Sequence, residues 1–185
     1  RVKKEIMFNK TYPYRSSLSI SVKNHFKNLS EMIKKNFSHK KILEIGSNDG
    51  TFAKNFSRRQ INCVEPCYDV GNKLKKKGYR VYIRYFDEEL VKLLSKKSNK
   101  FDLIFSANTI THINKIEKVL KNIKKILSDN GVFILEEPSF LECFKKNAFD
   151  QFYNEHIYVL SAIALKNILR KVGLKIFKVE NIKIH

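Results

Sequence analysis

The chain has 185 residues, of which 43% are hydrophobic and 30% charged, enough for one packed domain but too short for two independent cores. The sequence contains no run of 18 apolar residues, so no transmembrane helix is predicted. No apolar segment follows the basic N-terminus, so no signal peptide is predicted either. Three cysteines are too few for a disulfide framework, so we expect a cytoplasmic protein.

The net charge is strongly positive, at +19 from 37 Lys and Arg against 18 Asp and Glu. A basic chain attracts polyanions such as nucleic acid and nucleotide phosphates. However, the lysines occur in helix-like stretches, interleaved with apolar residues, which is typical of a solvated helix face. The charge therefore does not by itself predict a nucleic-acid partner.

Short apolar strands alternate with helical patterns along the chain. In chain order the sequence predicts a helix at Ser19–Phe37, a strand at Lys41–Gly46, a helix at Thr51–Arg58, a strand at Ile61–Pro66, a helix at Val70–Lys77, a strand at Tyr79–Tyr85, a helix at Glu88–Lys97, a strand at Phe101–Asn108, a helix at Ile113–Ser128, a strand at Gly131–Pro138, a helix at Ala162–Val172 and a sixth strand at Leu174–Ile184. Asp129-Asn-Gly131 reads as a helix stop. This alternation predicts a doubly wound, Rossmann-like α/β sheet with helices on both faces.

A glycine loop follows the first predicted strand. It reads Gly46-Ser-Asn-Asp-Gly50, where the glycines allow a tight turn and close approach of the backbone to a ligand. Glu44 lies inside the otherwise apolar strand, where an unpaired carboxylate is costly. Glu65 ends the second strand, at the place where nucleotide-binding folds hold ribose hydroxyls. The loop is neither a dinucleotide fingerprint nor a P-loop.

Three segments together resemble the class I S-adenosylmethionine-dependent methyltransferases: E-I-G-S-N-D-G-T-F, V-E-P, and F-D-L-I-F-S-A-N-T-I-T-H-I. The resemblance implies S-adenosylmethionine as the cofactor, with Glu65 as the ribose ligand and Glu44 supporting the loop and the amino-acid end of the cofactor. The residues it implies for cofactor binding are Glu44, Gly46, Ser47, Asn48, Gly50, Phe52, Glu65, Pro66 and Asn108.

A second polar cluster lies between the fifth strand and the next helix. Tyr153, Glu155 and His156 fall within four residues, so a general base and an orienting carboxylate are close together. In an open α/β sheet this position is beside the ligand crevice. The spacing is equally compatible with a helix N-terminus, in which Ser161 is the cap and His156 a surface residue.

The run F-D-x-x-Y-x-E-H-x-x-Y-x-S resembles the sugar C-methyltransferases that act on nucleotide-activated 4-keto-deoxy sugars, and the segment from Glu5 to Ser19 with His25 fits the same family. The resemblance implies that His156 removes a proton next to the ketone, with Glu155 or Tyr153 orienting it or stabilising the enolate. The residues it implies for substrate contact are Tyr14 and Tyr158. His112 is a secondary candidate for substrate contact that could instead pack at the cofactor pocket, and a structural role at the head of the helix is equally compatible with its position. His25 reads as structural or surface-exposed.

The chain is expected to be the central domain of that family, with a segment and helix at 1–38 and the cofactor-binding domain at 39–185. The family's Cys-rich zinc module and C-terminal domain have no counterpart in this sequence, so no metal is predicted. The expected partner is a small molecule, a nucleotide sugar, with no membrane contact. O- or N-methylation of another small molecule or a surface-polysaccharide precursor remains the alternative. An RNA methyltransferase is less favoured, because the N/D-P-P-Y/F motif is missing after the fourth strand.

Overall fold

A computed structural model describes residues 3–9, 12–96 and 100–182. Its centre is a parallel sheet of five strands in the order β3-β2-β1-β4-β5. The strands are β1 (Ile42–Ile45), β2 (Ile61–Val64), β3 (Arg80–Tyr82), β4 (Phe101–Ala107) and β5 (Leu127–Glu136). The strand order reverses between β1 and β4, and in doubly wound sheets the ligand crevice lies at the carboxyl ends of the strands beside that point.

Helices cover both faces of the sheet. They are α1 (Lys4–Met7), α2 (Ile20–Asn36), α3 (Tyr68–Lys76), α4 (Glu88–Ser95), α5 (Ile116–Ile126), α6 (Phe140–Lys145) and α7 (Ala162–Lys171), with 3-10 turns at Ser16–Leu18, Ala53–Asn55, Ile110–His112 and Phe149–Gln151. Side-chain caps begin several of them: Ser19 accepts from Val22 N, Asp87 from Leu90 N and Ser161 from Ala164 N. The predicted cap at Ser161 is confirmed.

The apolar core lies in two layers, one on each face of the sheet. Alternate residues of a strand face opposite sides, so Ile42 packs with α2 and Leu43 packs with α4 and α5. Phe26 of α2 makes edge contacts with Phe52 and Phe105 at ring-centroid distances of 5.8 and 5.6 Å. The strands are thus covered on both faces, as their continuous apolar runs predicted.

Several predicted elements differ from the structure in their type or in their bounds. The helix at Thr51–Arg58 is a 3-10 turn over Ala53–Asn55. The helix predicted at Ile113–Ser128 ends at Ile126, and β5 begins at once with Leu127, which pairs with Phe101. The register then shifts, and regular pairing continues from Leu103, which is opposite Val132. Burial of Leu127 against that strand outweighs the local stop signal at Asp129-Asn-Gly131.

The predicted sixth strand does not form where the structure describes it. Residues 174–182 carry no strand, and Leu174 and Ile176 instead pack, partly buried, against the α4–α5 side of the core. Residues 183 and 184 of that prediction, and Lys97 of the fourth predicted helix, lie outside the described residues.

Candidate functional site

The glycine loop leaves β1 in the left-handed region of backbone conformation. Gly46 has φ of 79° and Gly50 has φ of 80°, values that L side chains rarely adopt. A Cβ added at Gly46 would lie 2.0 Å from Thr109 Oγ1, and one added at Gly50 would lie 2.5 Å from Leu74 Cδ1. The positive φ favours glycine at both positions, and Gly46, Ser47 and Asn48 of this loop line the cavity described below.

Two buried carboxylates surround this loop. Glu65 Oε2 accepts a hydrogen bond from Asn48 N at 2.7 Å, and Oε1 accepts from Cys67 N at 2.8 Å. Glu44 Oε2 is buried and has no hydrogen-bond partner among the described residues. Burial raises the pKa of Glu65, and burial followed by the charge of Glu65 raises that of Glu44. Such an unsatisfied buried oxygen fits a ligand that brings a hydrogen-bond donor.

A cavity of about 810 Å³ opens over the carboxyl ends of the strands. Its size is within the usual range for cofactor and small-molecule sites. The predicted cofactor residues that line it are Glu44, Gly46, Ser47, Asn48, Glu65, Pro66 and Asn108. The structure thus brings together, around one cavity, residues from β1, β2 and β4 that the sequence had suggested for one ligand.

Phe52 is different from the other predicted cofactor residues. Its side chain is fully buried and stacks on Phe105 with 3.9 Å between ring centroids, so it belongs to the α2 side of the core and not to the cavity wall. Gly50 also lies off the wall, where its role is to allow the turn beside Leu74.

The predicted base, His156, is hydrogen-bonded to Tyr153, one of the two residues expected beside it. His156 Nδ1 donates to the Gln151 carbonyl at 2.8 Å, so its Nε2 accepts from the Tyr153 hydroxyl, also at 2.8 Å. The orienting contact comes from that carbonyl and not from the Glu155 carboxylate. None of Tyr153, Glu155 and His156 lines the cavity, although Asn154 of the same loop does.

His112 is the histidine that faces the cavity. Its Nδ1 donates to the Glu155 carbonyl at 2.8 Å, which leaves the lone pair of the neutral imidazole on Nε2. Burial lowers its pKa, so the neutral form prevails at pH 7. The ring of His156 lies 5.0 Å from that of His112, between centroids. Tyr14 also lines the cavity, whereas Tyr158 packs against the core and its carbonyl accepts from Thr111 Oγ1.

Glu137 anchors the turn that carries His112, a role that the sequence did not predict. Its Oε1 accepts from three successive backbone N–H groups, those of Thr109, Ile110 and Thr111, at 3.2, 2.7 and 3.3 Å. Burial raises the pKa of Glu137 to about 7. The available signal was a charged residue directly after an apolar strand.

His25 is also part of the site surroundings, and not a surface residue. Its Nε2 lies 2.8 Å from Oε1 of Glu136, and the two side chains are 15% and 12% exposed. Glu136 lines the cavity.

The N-terminal segment closes one side of the cavity. Ser16 N donates to Asn48 Oδ1 and Ser17 N donates to Asp49 Oδ2, each at 3.1 Å, while Asn48 Nδ2 donates to the Tyr14 carbonyl. Phe8 makes an edge contact with His112 at 5.2 Å between ring centroids. The segment before α2 is therefore fastened to the glycine loop by side-chain to backbone hydrogen bonds.

Within the ranges that the structure describes, there is no group of three or more His, Cys, Asp or Glu side chains that could hold a metal ion. The helices of those same ranges are too short or too polar to cross a membrane.

Comparison with known proteins gives consistent matches. The model of a family described as "Methyltransferase domain" matches residues 19–179. The chain is 24% identical over 146 residues to C-methyltransferase NovU of Streptomyces niveus. The aligned residues cover 78% of this chain and 35% of the relative. The chain thus spans about a third of the length of this curated relative.

Solved structures share the fold. A S-adenosylmethionine-dependent methyltransferase of Thermotoga maritima, described as a possible histamine N-methyltransferase, is 25% identical, with a TM-score of 0.57 over 82% of this chain and 72% of that one. A S-adenosylmethionine-dependent methyltransferase from Archaeoglobus fulgidus is 17% identical, with a TM-score of 0.64 over 82% of this chain and 68% of that one, and shows the fold alone.

Proposed function

We propose that this chain methylates a carbon next to the ketone of a nucleotide-activated sugar. The chain belongs to the methyltransferase domain family and has the class I fold, whose cofactor is S-adenosylmethionine. The observation that carries the proposal is that a neutral imidazole, His112, faces the same cavity as the glycine loop and Glu65. The likeness to a C-methyltransferase supports transfer to carbon.

The residues present fit the cofactor. Glu65 would hold ribose hydroxyls with its remaining lone pairs, and the unpartnered Oε2 of Glu44 would accept from the amino group. When bound, the cofactor supplies an electrophilic methyl group on sulfur.

The chain itself contributes the base. A ketone acidifies the proton on the neighbouring carbon, and His112, on the cavity wall, would take that proton from a sugar bound there. Loss of the proton leaves an enolate whose carbon is the nucleophile. His156 is the second candidate, and in this conformation its Nε2 is engaged by the Tyr153 hydroxyl.

Two measurements test the proposal. Calorimetric titration should show binding of S-adenosylmethionine in the micromolar range. Incubation of the S-adenosylhomocysteine complex with a nucleotide-activated 4-keto-6-deoxyhexose in deuterium oxide should then give deuterium at the carbon next to the ketone. His112→Gln and His156→Gln, compared separately, identify the base, because only loss of the true base removes exchange while cofactor binding persists. Cofactor binding without exchange in the unaltered protein would overturn carbon methylation of this sugar class.

Methylation of nitrogen or oxygen is the second candidate, favoured by the likeness to the possible histamine N-methyltransferase. A neutral imidazole facing the cavity would also take a proton from an amine or hydroxyl. Those reactions need no carbon acid, so turnover on an amine or on a reduced sugar, with no deuterium exchange on the keto sugar, would favour them.

A further inference from the structure

A hydrogen-bonded pair, His25 and Glu136, joins the first long helix to the end of the last strand. His25 is in α2 and Glu136 is the final residue of β5, 111 positions later. The Nε2–Oε1 distance is 2.8 Å, and both side chains are largely buried. Because a carboxylate accepts only, His25 donates from Nε2 and fixes the direction of the Glu136 carboxylate.

The second oxygen of this carboxylate, Oε2, takes no part in the hydrogen bond to His25. Glu136 Oε2 is buried and without a hydrogen-bond partner there. Native structures satisfy nearly all buried polar atoms, and an exception on a cavity wall is a place where a ligand donor fits. Glu136 lines the cavity, and so do Phe26, Phe105 and Ala107, of which Ala107 pairs with Glu136 across the sheet. Glu136 is therefore a polar group set in an apolar part of the wall.

The position of Glu136 separates it from the cofactor loop. β5 lies two strands from β1 in the sheet, which is a lateral distance of about 10 Å at the usual strand spacing. Glu44, Gly46 and Glu65 surround the β1 and β2 ends, whereas Glu136 lies on the β5 side, beyond Asn108. Asn108 N donates to the Glu136 carbonyl at 2.8 Å, so the two residues share one edge of the cavity. With the cofactor at the β1 and β2 ends, the β5 side of the cavity beyond Asn108 is where a methyl acceptor would lie.

We propose that Glu136, oriented by His25, binds a hydroxyl group of the sugar acceptor through Oε2. The proposal rests on the proposed function, because it takes a sugar to be the acceptor. A carboxylate that already accepts from His25 through one oxygen accepts a hydroxyl through the other at a defined angle, and the apolar wall around it covers the ring face of the sugar. Glu136 would thus position the acceptor, and His25 would position Glu136.

The competing explanation is that the pair only fastens α2 to the sheet. Glu136→Gln distinguishes the two, because the amide can keep a hydrogen bond to His25 while the charge is lost. Glu136→Met removes both oxygens at similar length. Glu142→Gln, on α6 and outside the cavity wall, removes one carboxylate of the same kind and is the matched control.

The experiment measures, for each variant, the KM of the nucleotide-activated 4-keto-6-deoxyhexose in the deuterium exchange assay and the Kd of S-adenosylmethionine by calorimetry. We expect the KM to rise about 10- to 100-fold in both Glu136 variants, as loss of a hydrogen bond to a charged group implies. We expect the Kd of the cofactor to stay within about twofold, and Glu142→Gln to resemble the unaltered protein.

Each outcome decides one question. A KM within twofold of the unaltered protein in both Glu136 variants overturns the binding role and leaves the pair as a fastening. An equal rise in the Kd of the cofactor overturns it too, because Glu136 would then belong to the cofactor side. If the unaltered protein binds the cofactor but neither binds nor exchanges the keto sugar, it is the proposed function that fails, and the assignment of Glu136 to a sugar hydroxyl falls with it.

Discussion

The buried carboxyl group of Glu137 should make the protein less stable as the pH rises through neutrality. Its pKa is about 7 in the folded protein, against an ordinary value of 4.5, because burial disfavours the charged form more than the three backbone N–H groups favour it. Between about pH 4.5 and pH 7 the folded protein therefore holds a proton that the unfolded chain has lost, and stability falls with rising pH. At 1.36 kcal/mol per pKa unit, about 2.5 units correspond to roughly 3 kcal/mol.

The assay compares the free energy of unfolding by urea at pH 5, 6, 7 and 8 for the unaltered protein and Glu137→Gln. Gln keeps a carbonyl oxygen for Thr109–Thr111 and cannot ionise, so the variant should gain roughly 3 kcal/mol relative to the unaltered protein between pH 5 and pH 8. Glu31→Gln, an exposed carboxylate on α2, controls for the change in net charge. A difference between Glu137→Gln and the unaltered protein that does not vary with pH would refute the reasoning.

Three further predictions concern the site. Glu65→Ala removes the acceptor of two backbone N–H groups and the proposed acceptor of the ribose hydroxyls. The calorimetric Kd for S-adenosylmethionine should therefore rise at least about 10-fold, and an unchanged Kd would show that the cofactor lies elsewhere. His156→Ala should leave that Kd within about twofold while the exchange rate on the keto sugar falls, because the second candidate base is lost; an unaltered rate would remove His156 from the mechanism. Phe52→Ala should lower the free energy of unfolding by about 3–5 kcal/mol in urea titration, as expected for a fully buried ring, and a mild loss together with weakened cofactor binding would contradict its place in the core.

The glycine loop could be predicted because its information is local. A buried strand, two glycines and an acidic residue at the end of the next strand lie within about twenty residues, and parallel pairing of β1 with β2 brings their ends together. Glu65 then meets the loop at Asn48 without any further contact being needed. The same local argument suggested nine cofactor residues, of which all but Gly50 and Phe52 line one cavity.

The role of Phe52 could not be predicted in the same way. The sequence suggested a helix after the glycine loop, but the segment makes a 3-10 turn at Ala53–Asn55. The direction of the Phe52 side chain depends on that turn and on the rings of Phe26 and Phe105, which come from α2 and β4. Packing between distant elements, rather than local pattern, decides which residues of a loop face the ligand.

The surroundings of His112 and His156 depend on similar contacts between distant residues. Proximity in sequence suggested that Glu155 or Tyr153 orients His156; the structure has the Tyr153 contact and a backbone carbonyl at the other ring nitrogen. In the structure the carbonyls of Glu155 and Gln151 orient His112 and His156 respectively, and backbone carbonyls carry no signature in the sequence. The sequence could therefore suggest a contact between Tyr153 and His156, but not the backbone carbonyls that orient the two rings.

The two adjacent carboxylates at the end of β5 show how far sequence reasoning could reach. A charged residue after an apolar strand is costly unless partnered, so Glu136 and Glu137 each implied a partner. Successive side chains of an extended chain point to opposite sides, and accordingly Glu136 meets His25 of α2 while Glu137 meets the turn at Thr109–Thr111. The sequence shows the two unexpected charges, but it does not show their partners. Those partners follow from the pairing of β5 with β4, which brings Glu137 beside the turn at Thr109–Thr111 and places Glu136 on the cavity wall.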